Sequence, residues 1–416
     1  MSSKNKTTAT KDDARHALVP KLRFPEFRDA GDWESGKVDD LVDTVTPPKK
    51  LPTSTYASSG AFPIIDQSQS DICGWTDDEE ALIQEGLPLV IFGDHTCILK
   101  LINRPFAQGA DGIKILKARP KVGTPYLYQF LSYQPVVTEE YKRHYSILKE
   151  KSVFFPDFKS GEQQKIAECL SSVDELMAAQ ARKVDALKTH KKGLMQQLFP
   201  RAGETRPRLR FPEFQNSEDW DFKPFEEFVT KSFYGTSRST SPTGRYPVLR
   251  MGNMLDGGLD FTNLVYLDLD ADSFESFRLE EGDILLNRTN SPALVGKISL
   301  FQLKSECMTA SYIVTYRLNK KRIDPSYCNL MLNTPIYQAR IRSFAKPSVS
   351  QANINPTTFK KELIVSVPSL AEQQRIALHL NGLDTLIAAE TQKLEALKTH
   401  KKGLMQQLFP SLEEEQ

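Results

Sequence analysis

Two stretches of the chain carry apolar residues at alternating steps of four and three. The first stripe is Ile166, Leu170, Val173, Met177, Val184, Leu187, Leu194 and Leu198; the second is Ile376, Leu380, Leu383, Ile387, Leu394, Leu397, Leu404 and Leu408. A mean step near 3.5 residues predicts coiled-coil helices, assigned here to 161–200 and 372–410. Both stripes are broken at the same two places, first by Gln180 and Glu390, then by Lys191 and Lys401. Polar groups on such a seam set register or partner choice at some cost in stability. Pro200 and Pro410 end the helices. Elsewhere the pattern shortens. "PLVIFGDHTCILKLI" (88–102), "YPVLRMGNMLDGGLDF" (246–261) and "EGDILLNRTNSPALVGKISLF" (281–301) read as strands joined by Gly, Asn and Pro turns. Helical spacing returns around Tyr126–Tyr133 and Tyr327–Ile341.

The two helical stretches are copies of one another. Glu162–Pro200 and Glu372–Pro410 align without a gap and are identical at 26 of 39 positions, "ALKTHKKGLMQQLFP" being common to both. A second phrase, "LRFPEF", stands at Leu22–Phe27 and Leu209–Phe214, with Trp33 and Trp220 a few residues on. The chain thus reads marker, variable segment, repeated helix, and the same again, with no convincing likeness between the variable segments. Each helix seeks a partner, and the obvious one is the other copy. A helix of about 35 residues is about 50 Å long, whereas a compact head of this size has a radius of gyration of about 15 Å. Such a head returns the chain close to where it entered, so the second helix is expected to run antiparallel to the first. The expected fold is α+β: two mixed heads at opposite ends of an antiparallel coiled-coil pair, with pseudo-twofold symmetry. The boundaries are a polar tail at 1–20, heads at 21–160 and 201–371, helices at 161–200 and 372–410, and a tail at 411–416.

Length and composition agree with this layout. At 416 residues the chain exceeds one ordinary core. Its longest apolar run, "LPLVIF" (87–92), is far too short to cross a bilayer. The first twenty residues lack an apolar signal core and are expected to be disordered. Five scattered cysteines suggest neither a disulfide framework nor a zinc site, which fits a reducing cytoplasm. A net charge of +1 gives no general case for nucleic acid, so any such case rests on local patches.

Catalytic signatures are missing: there is no P-loop, G-x-G-x-x-G, H-E-x-x-H or G-x-S-x-G. Asp94–His95 in "FGDHT" is an acid–base pair on paper, but a lone pair on a loop is more often a turn or a binding contact. The polar loops are the better candidates. In the first head they carry Gln67, Ser68, Gln69, Asp94, His95, Thr96 and Lys100, with Lys142, Arg143 and His144 further on. In the second they carry Arg250, Asn253, Asn287, Arg288, Thr289, Asn290, Ser291 and Lys297, then Ser348, Ser350, Gln351 and Asn353. Arg matches the guanine edge and Asn or Gln the adenine edge in the major groove; Lys, Ser and Thr more often hold phosphates. The run "KTHKK" puts Lys188, Lys191 and Lys192 near the end of one helix and Lys398, Lys401 and Lys402 near the end of the other. Cations there complement the helix dipole, and their duplication suggests a surface that docks one partner twice.

In this arrangement the chain resembles the specificity subunit of type I restriction–modification enzymes. The residues that carry the resemblance are "KLRFPEF" and "RLRFPEF" opening the variable regions, "EQQKIA" and "EQQRIA" opening the helices, and "HKKGLMQQLFP" closing them. "FGDHT" with "GADG" (109–112) and "GDILLNRTNSPALVGK" with "SQANINP" also resemble sequences in the family's target-recognition domains. One departure is "PDFKSGEQQ" before the first helix, less regular than "VPSLAEQQ" before the second. The resemblance implies a non-catalytic subunit in which each head reads one half of a split, asymmetric double-stranded DNA target. The helices would set the spacing and dock two adenine methyltransferase subunits that use S-adenosylmethionine. Restriction subunits would add cleavage driven by ATP with Mg, all in a bacterial or archaeal cytoplasm. The competing readings are a coiled-coil protein–protein scaffold with two binding heads and a self-contained enzyme.

Overall fold

The computed structural model describes residues 19–110, 112–137, 143–347 and 351–410. The tails expected at 1–20 and 411–416 lie outside these, Val19 and Pro20 excepted, as do the candidate residues Lys142, Ser348 and Ser350. The chain divides into two compact units, one of residues 1–181 with 392–416 and the other of 182–391. Each unit therefore combines one head with the start of one long helix and the end of the other.

In the first unit a four-stranded antiparallel sheet has the order Val42–Val45, Ile113–Ala118, Leu89–Gly93, Leu99–Ile102. A second sheet orders Gly74–Thr76, Phe62–Ile65, Phe106–Gln108 and Leu82–Ile83, with Phe62–Ile65 and Phe106–Gln108 parallel. The ribbon Glu34–Lys37 with Ser152–Phe155 and the helix Thr124–Tyr133 complete the head. Leu89–Gly93 is wholly buried, as its unbroken apolar run predicts for a central strand.

The second unit repeats this plan. Its four-stranded sheet orders Val229–Tyr234, Ile313–Leu318, Ile284–Asn287 and Ile298–Leu300, again antiparallel throughout. Tyr246–Leu249 lies between Val265–Leu267 and Met308–Thr309, and its pairing with the latter is parallel. The ribbon is Asp221–Pro224 with Ile364–Val367. Where one helical pattern ran over 327–341, two helices form, Pro325–Leu332 and Pro335–Ser343. Pro335 lacks an amide hydrogen and clashes with a preceding turn, so the helix restarts there, capped by Thr334 Oγ1. A small sheet of Thr289–Asn290, Ala352–Ile354 and Ala345–Pro347 is particular to this head among the described residues.

The long helices span Glu162–Leu198 and Leu370–Leu408. The irregular approach to the first is a 3-10 turn, Phe158–Ser160, ended by Gly161 at φ +82°, a left-handed position that glycine adopts at no steric cost. Within the second unit Lys183 pairs with Glu390 and Lys191 with Asp384, so the residue numbers rise on one helix as they fall on the other. Within the first unit Lys401 pairs with Asp174 at 2.6 Å, while Ile166 and Leu170 share a core with Met405 and Leu408, so the numbers again run in opposite directions. The helix halves are therefore antiparallel in each unit. All sixteen stripe residues are buried or half-buried, Gln180 is buried, and Leu176, Leu378 and Leu386 face outward.

The repeated phrases meet at one joint in each unit. Arg23 donates two hydrogen bonds to the Glu162 carboxylate at 2.7 and 2.8 Å, and Arg210 does the same to Glu372 at 2.7 Å each. The remaining guanidinium hydrogens reach the carbonyls of Ala30 and Gly31, or of Ser217 and Glu218. The two carboxylate side chains are 1% exposed, and the ion pair holds each guanidinium even more firmly protonated. Gln163 donates to the Lys121 and Pro156 carbonyls, and Gln373 to those of Arg322 and Pro368. The Leu22 amide donates to Gln407 and the Leu209 amide to Gln197. Phe409 packs among Tyr126, Phe130 and Tyr133, while Phe199 packs on Trp220 and Tyr327. Marker, helix start and helix end are thus three parts of one buried contact, made twice.

Candidate nucleic-acid interface

The candidate loops emerge where the central strand of each four-stranded sheet runs out. Gly93 and Asn287 occupy the same place, opposite Ile113 and Ile313. One residue on, the Asp94 amide donates to the Gly112 carbonyl at 2.7 Å, and the Arg288 amide to the Tyr312 carbonyl at 3.0 Å. The Asp94 carbonyl accepts from the His144 amide at 2.9 Å; the Arg288 carbonyl accepts from the Ile354 amide at 2.8 Å. Three segments remote in sequence are therefore tied together identically in both heads, although the side chains at those places have nothing in common.

In the first head the result is a hollow. A cavity of about 500 Å³ is lined by Lys50, Gln67, Asp94, His95, Gly112, Ile113, Lys114 and Arg143. Gln67 organises it: its side-chain oxygen accepts from the His95 amide at 3.3 Å, and its carbonyl from Thr96 Oγ1 at 2.8 Å. "FGDHT" and "GADG" have a shared geometric cause. A Cβ at Gly93 would collide with Thr96 Oγ1, one at Gly112 with the Gln67 amide, and one at Gly109 with the Tyr56 hydroxyl. Gly112 sits at φ +102° as well. Tyr56 in turn accepts from the Ala110 amide at 2.8 Å.

Several candidates serve the scaffold of this hollow. Asp94 is buried and its Oδ1 accepts from the Tyr145 amide at 2.8 Å; His144, also buried, has Nδ1 3.1 Å from the Asp94 carbonyl. Lys100 donates to the Asp66 and Ser70 carbonyls at 2.9 and 2.5 Å, holding the loop that presents Gln67, Ser68 and Gln69. Burial pushes the Asp66 carboxyl up, but hydrogen bonds from Cys73 Sγ and Ser68, with the Lys100 charge, bring it below its ordinary range. Burial pushes the Cys97 thiol up, with the Asp94 charge acting the same way. Arg143, Ser68 and Gln69 are exposed.

The second head presents a ridge. The Arg288 guanidinium lies over the Tyr234 ring, 5.3 Å from its centre, and both Tyr234 and Tyr312 are about half exposed. Beside it Thr289 and Asn290 pair with Asn353 and Ala352, and Thr289 Oγ1 donates to Asn353 Oδ1 at 2.6 Å. Ser291 closes the turn, its amide donating to Asn290 Oδ1 and its carbonyl accepting from Leu294 and Val295. Gln351 is exposed next to this ribbon. Asn287 lies beneath the ridge, fully buried, with neither amide atom partnered among the described residues.

Arg250 and Asn253 belong to a turn elsewhere in the head. Asn253 accepts from the Arg250 amide and donates to the Asp260 carbonyl, and Arg250 reaches the Asn263 carbonyl. Lys297 faces Asp256 at 3.5 Å. Lys50, Lys114, Tyr234 and Tyr312 line the two edges without having been singled out in the sequence. Each becomes a neighbour of the loops only through sheet order, which no local pattern encodes.

On the helices Lys191 and Lys401 sit on the seam in the ion pairs with Asp384 and Asp174, as their place in the stripe requires. Lys188, Lys192, Lys398 and Lys402 are exposed. Among the described residues no helix is long and apolar enough to cross a membrane, and no cluster of His, Cys, Asp and Glu is arranged to hold a metal ion.

Residues 217–399 match the family model of the type I restriction modification DNA specificity domain. The chain is related to the specificity subunits of type I restriction enzymes, as its repeats and markers suggested. It is 31% identical over 195 residues to a putative type I restriction enzyme MjaX specificity subunit of Methanocaldococcus jannaschii, covering 46% of each chain. With the MjaVIII specificity subunit of the same organism it shares 24% over 254 residues, 60% of this chain and 59% of the other. The matches thus span about half the length of these relatives. The fold resembles the crystal structure of the type I restriction–modification system S subunit from M. genitalium, with a TM-score of 0.63 at 16% identity over 95% of this chain and 100% of that one.

Proposed function

We propose that this chain is the DNA-reading subunit of a type I restriction–modification complex, each head reading one half of a split target. The observation that carries this is the pair of edges. Two heads of one strand order hold three loops by the same backbone hydrogen bonds, yet fill them with unrelated polar side chains. A scaffold needing two copies of one binding head has no use for that divergence, whereas a reader of an asymmetric sequence requires it. The helices would set the distance between the half-sites, and the exposed lysines near their ends would dock two methyltransferase subunits. Methyl donor, ATP and Mg would be held by the partner subunits, and the chemistry would be theirs. With a net charge of +1, much of the phosphate neutralisation would also come from the methyltransferases closing round the duplex.

The test is methylation mapping. The chain is co-expressed with its methyltransferase in a host lacking adenine methylation, and the genome is sequenced for N6-methyladenine. A split motif methylated on opposite strands in its two halves is the expected result. A complex that forms without bipartite methylation, or no complex at all, would overturn the reading.

A further inference from the structure

The Arg288 guanidinium has no counter-ion among the described residues. Arg317 pairs with Glu280 and Asp283, Arg322 with Glu227 and Lys297 with Asp256, whereas among the described residues no carboxylate meets Arg288. Its Nε is buried without a hydrogen-bond partner. Neither terminal nitrogen has a hydrogen-bond partner among the described residues, so its paired donors are left for a ligand to meet. The Tyr234 ring beneath it, 5.3 Å away, attracts the cation and restricts the side chain.

We propose that Arg288 is the residue through which the second head reads a guanine, with Tyr234 as the platform that orients it. This rests on the DNA-reading function proposed above. A guanidinium only donates, and guanine alone offers two adjacent acceptors, N7 and O6, on its major-groove edge; adenine offers one acceptor beside a donor. Beside it stand the amide and hydroxyl groups of Asn290, Asn353 and Thr289 and the exposed Tyr312, with the exposed Lys346 opposite Asn353 on the next strand. The amides and hydroxyls suit base edges, and Lys346 suits a flanking phosphate. At the equivalent place the first head has Asp94, already engaged by the Tyr145 amide. An arginine contact at this position therefore belongs to the second head.

The test compares the methylation motif of the wild-type chain with those of Arg288→Lys and Tyr234→Ala, all co-expressed with the methyltransferase. Co-purification with that subunit and an unchanged melting temperature establish folding. In the wild type, one half-site should contain a guanine that is essential for methylation. Arg288→Lys keeps the charge but loses the fork, so discrimination at that guanine alone should fall about tenfold or more. Tyr234→Ala should lower methylation severalfold without altering the motif. A motif unchanged by Arg288→Lys, or a loss spread evenly over all sites, would mark a phosphate contact and overturn the assignment. Equal methylation by Tyr234→Ala would remove the platform. A wild-type chain giving no bipartite methylation would defeat this inference together with the function on which it rests, whereas a split motif with no guanine effect would defeat this inference alone.

Discussion

The two heads share a skeleton and differ at its rim. Both order their central sheet in the same way and tie the residue after the central strand to the same two neighbours. At those three places the first head has Asp94, Gly112 and His144, and the second has Arg288, Tyr312 and Ile354. Small residues and a glycine at φ +102° open a polar hollow in one; an arginine over Tyr234, with Tyr312 exposed, raises a ridge in the other. The joints show the reverse, with the same residues making the same bonds. Backbone hydrogen bonds hold the loops whatever their side chains, so the rim is free to diverge. The joint relies on side chains, so it is not.

The largest effect is expected where the comparison claims identity. Arg23→Ala and Arg210→Ala would each leave a buried, unpaired carboxylate and should destabilise their units by about 3–5 kcal/mol. Thermal unfolding should show similar losses, and a marked asymmetry would break the equivalence of the joints. Phe199→Ala and Phe409→Ala, each emptying an aromatic socket, should cost about 3–5 kcal/mol in the same assay. Next comes the rim. Gly112→Ala adds a Cβ against Gln67 at a left-handed φ and should cost about 1–3 kcal/mol, while Tyr312→Ala, on an exposed ridge, should leave the melting temperature nearly unchanged. Equal effects would show that hollow and ridge are not distinct designs. Smallest are Lys191→Met and Lys401→Met, which remove partly exposed seam ion pairs and should shift stability by at most about 1 kcal/mol. A larger loss at one of them would identify that pair as the one setting register.

Much of this was legible in the order of residues, because periodicity and repetition are local. The 3.5-residue stripe located both helices and put Lys191 and Lys401 on the seam. The markers were visible as repeats, though not their purpose: Arg23 and Glu162 stand 139 residues apart, and nothing near either residue shows that they bond. The candidates were read as one undivided set of loop residues, whereas Lys100, Asn287, Thr289, Asn290 and Asn353 lie in strands. Folding separated Arg288, at the rim, from Lys100, spent on two carbonyls, and from Asn253, tying a turn.

That the two heads are one fold was not visible in their residues at all. A strand of four or five residues needs only an apolar run, which many sequences satisfy, so the architecture persists while the letters change. Pattern and repetition therefore settled the long helices, the duplication and the family resemblance. Which side chains meet, and which polar groups are left to face a ligand, depended on contacts between segments far apart in the chain, and those exist only once the sheets have formed.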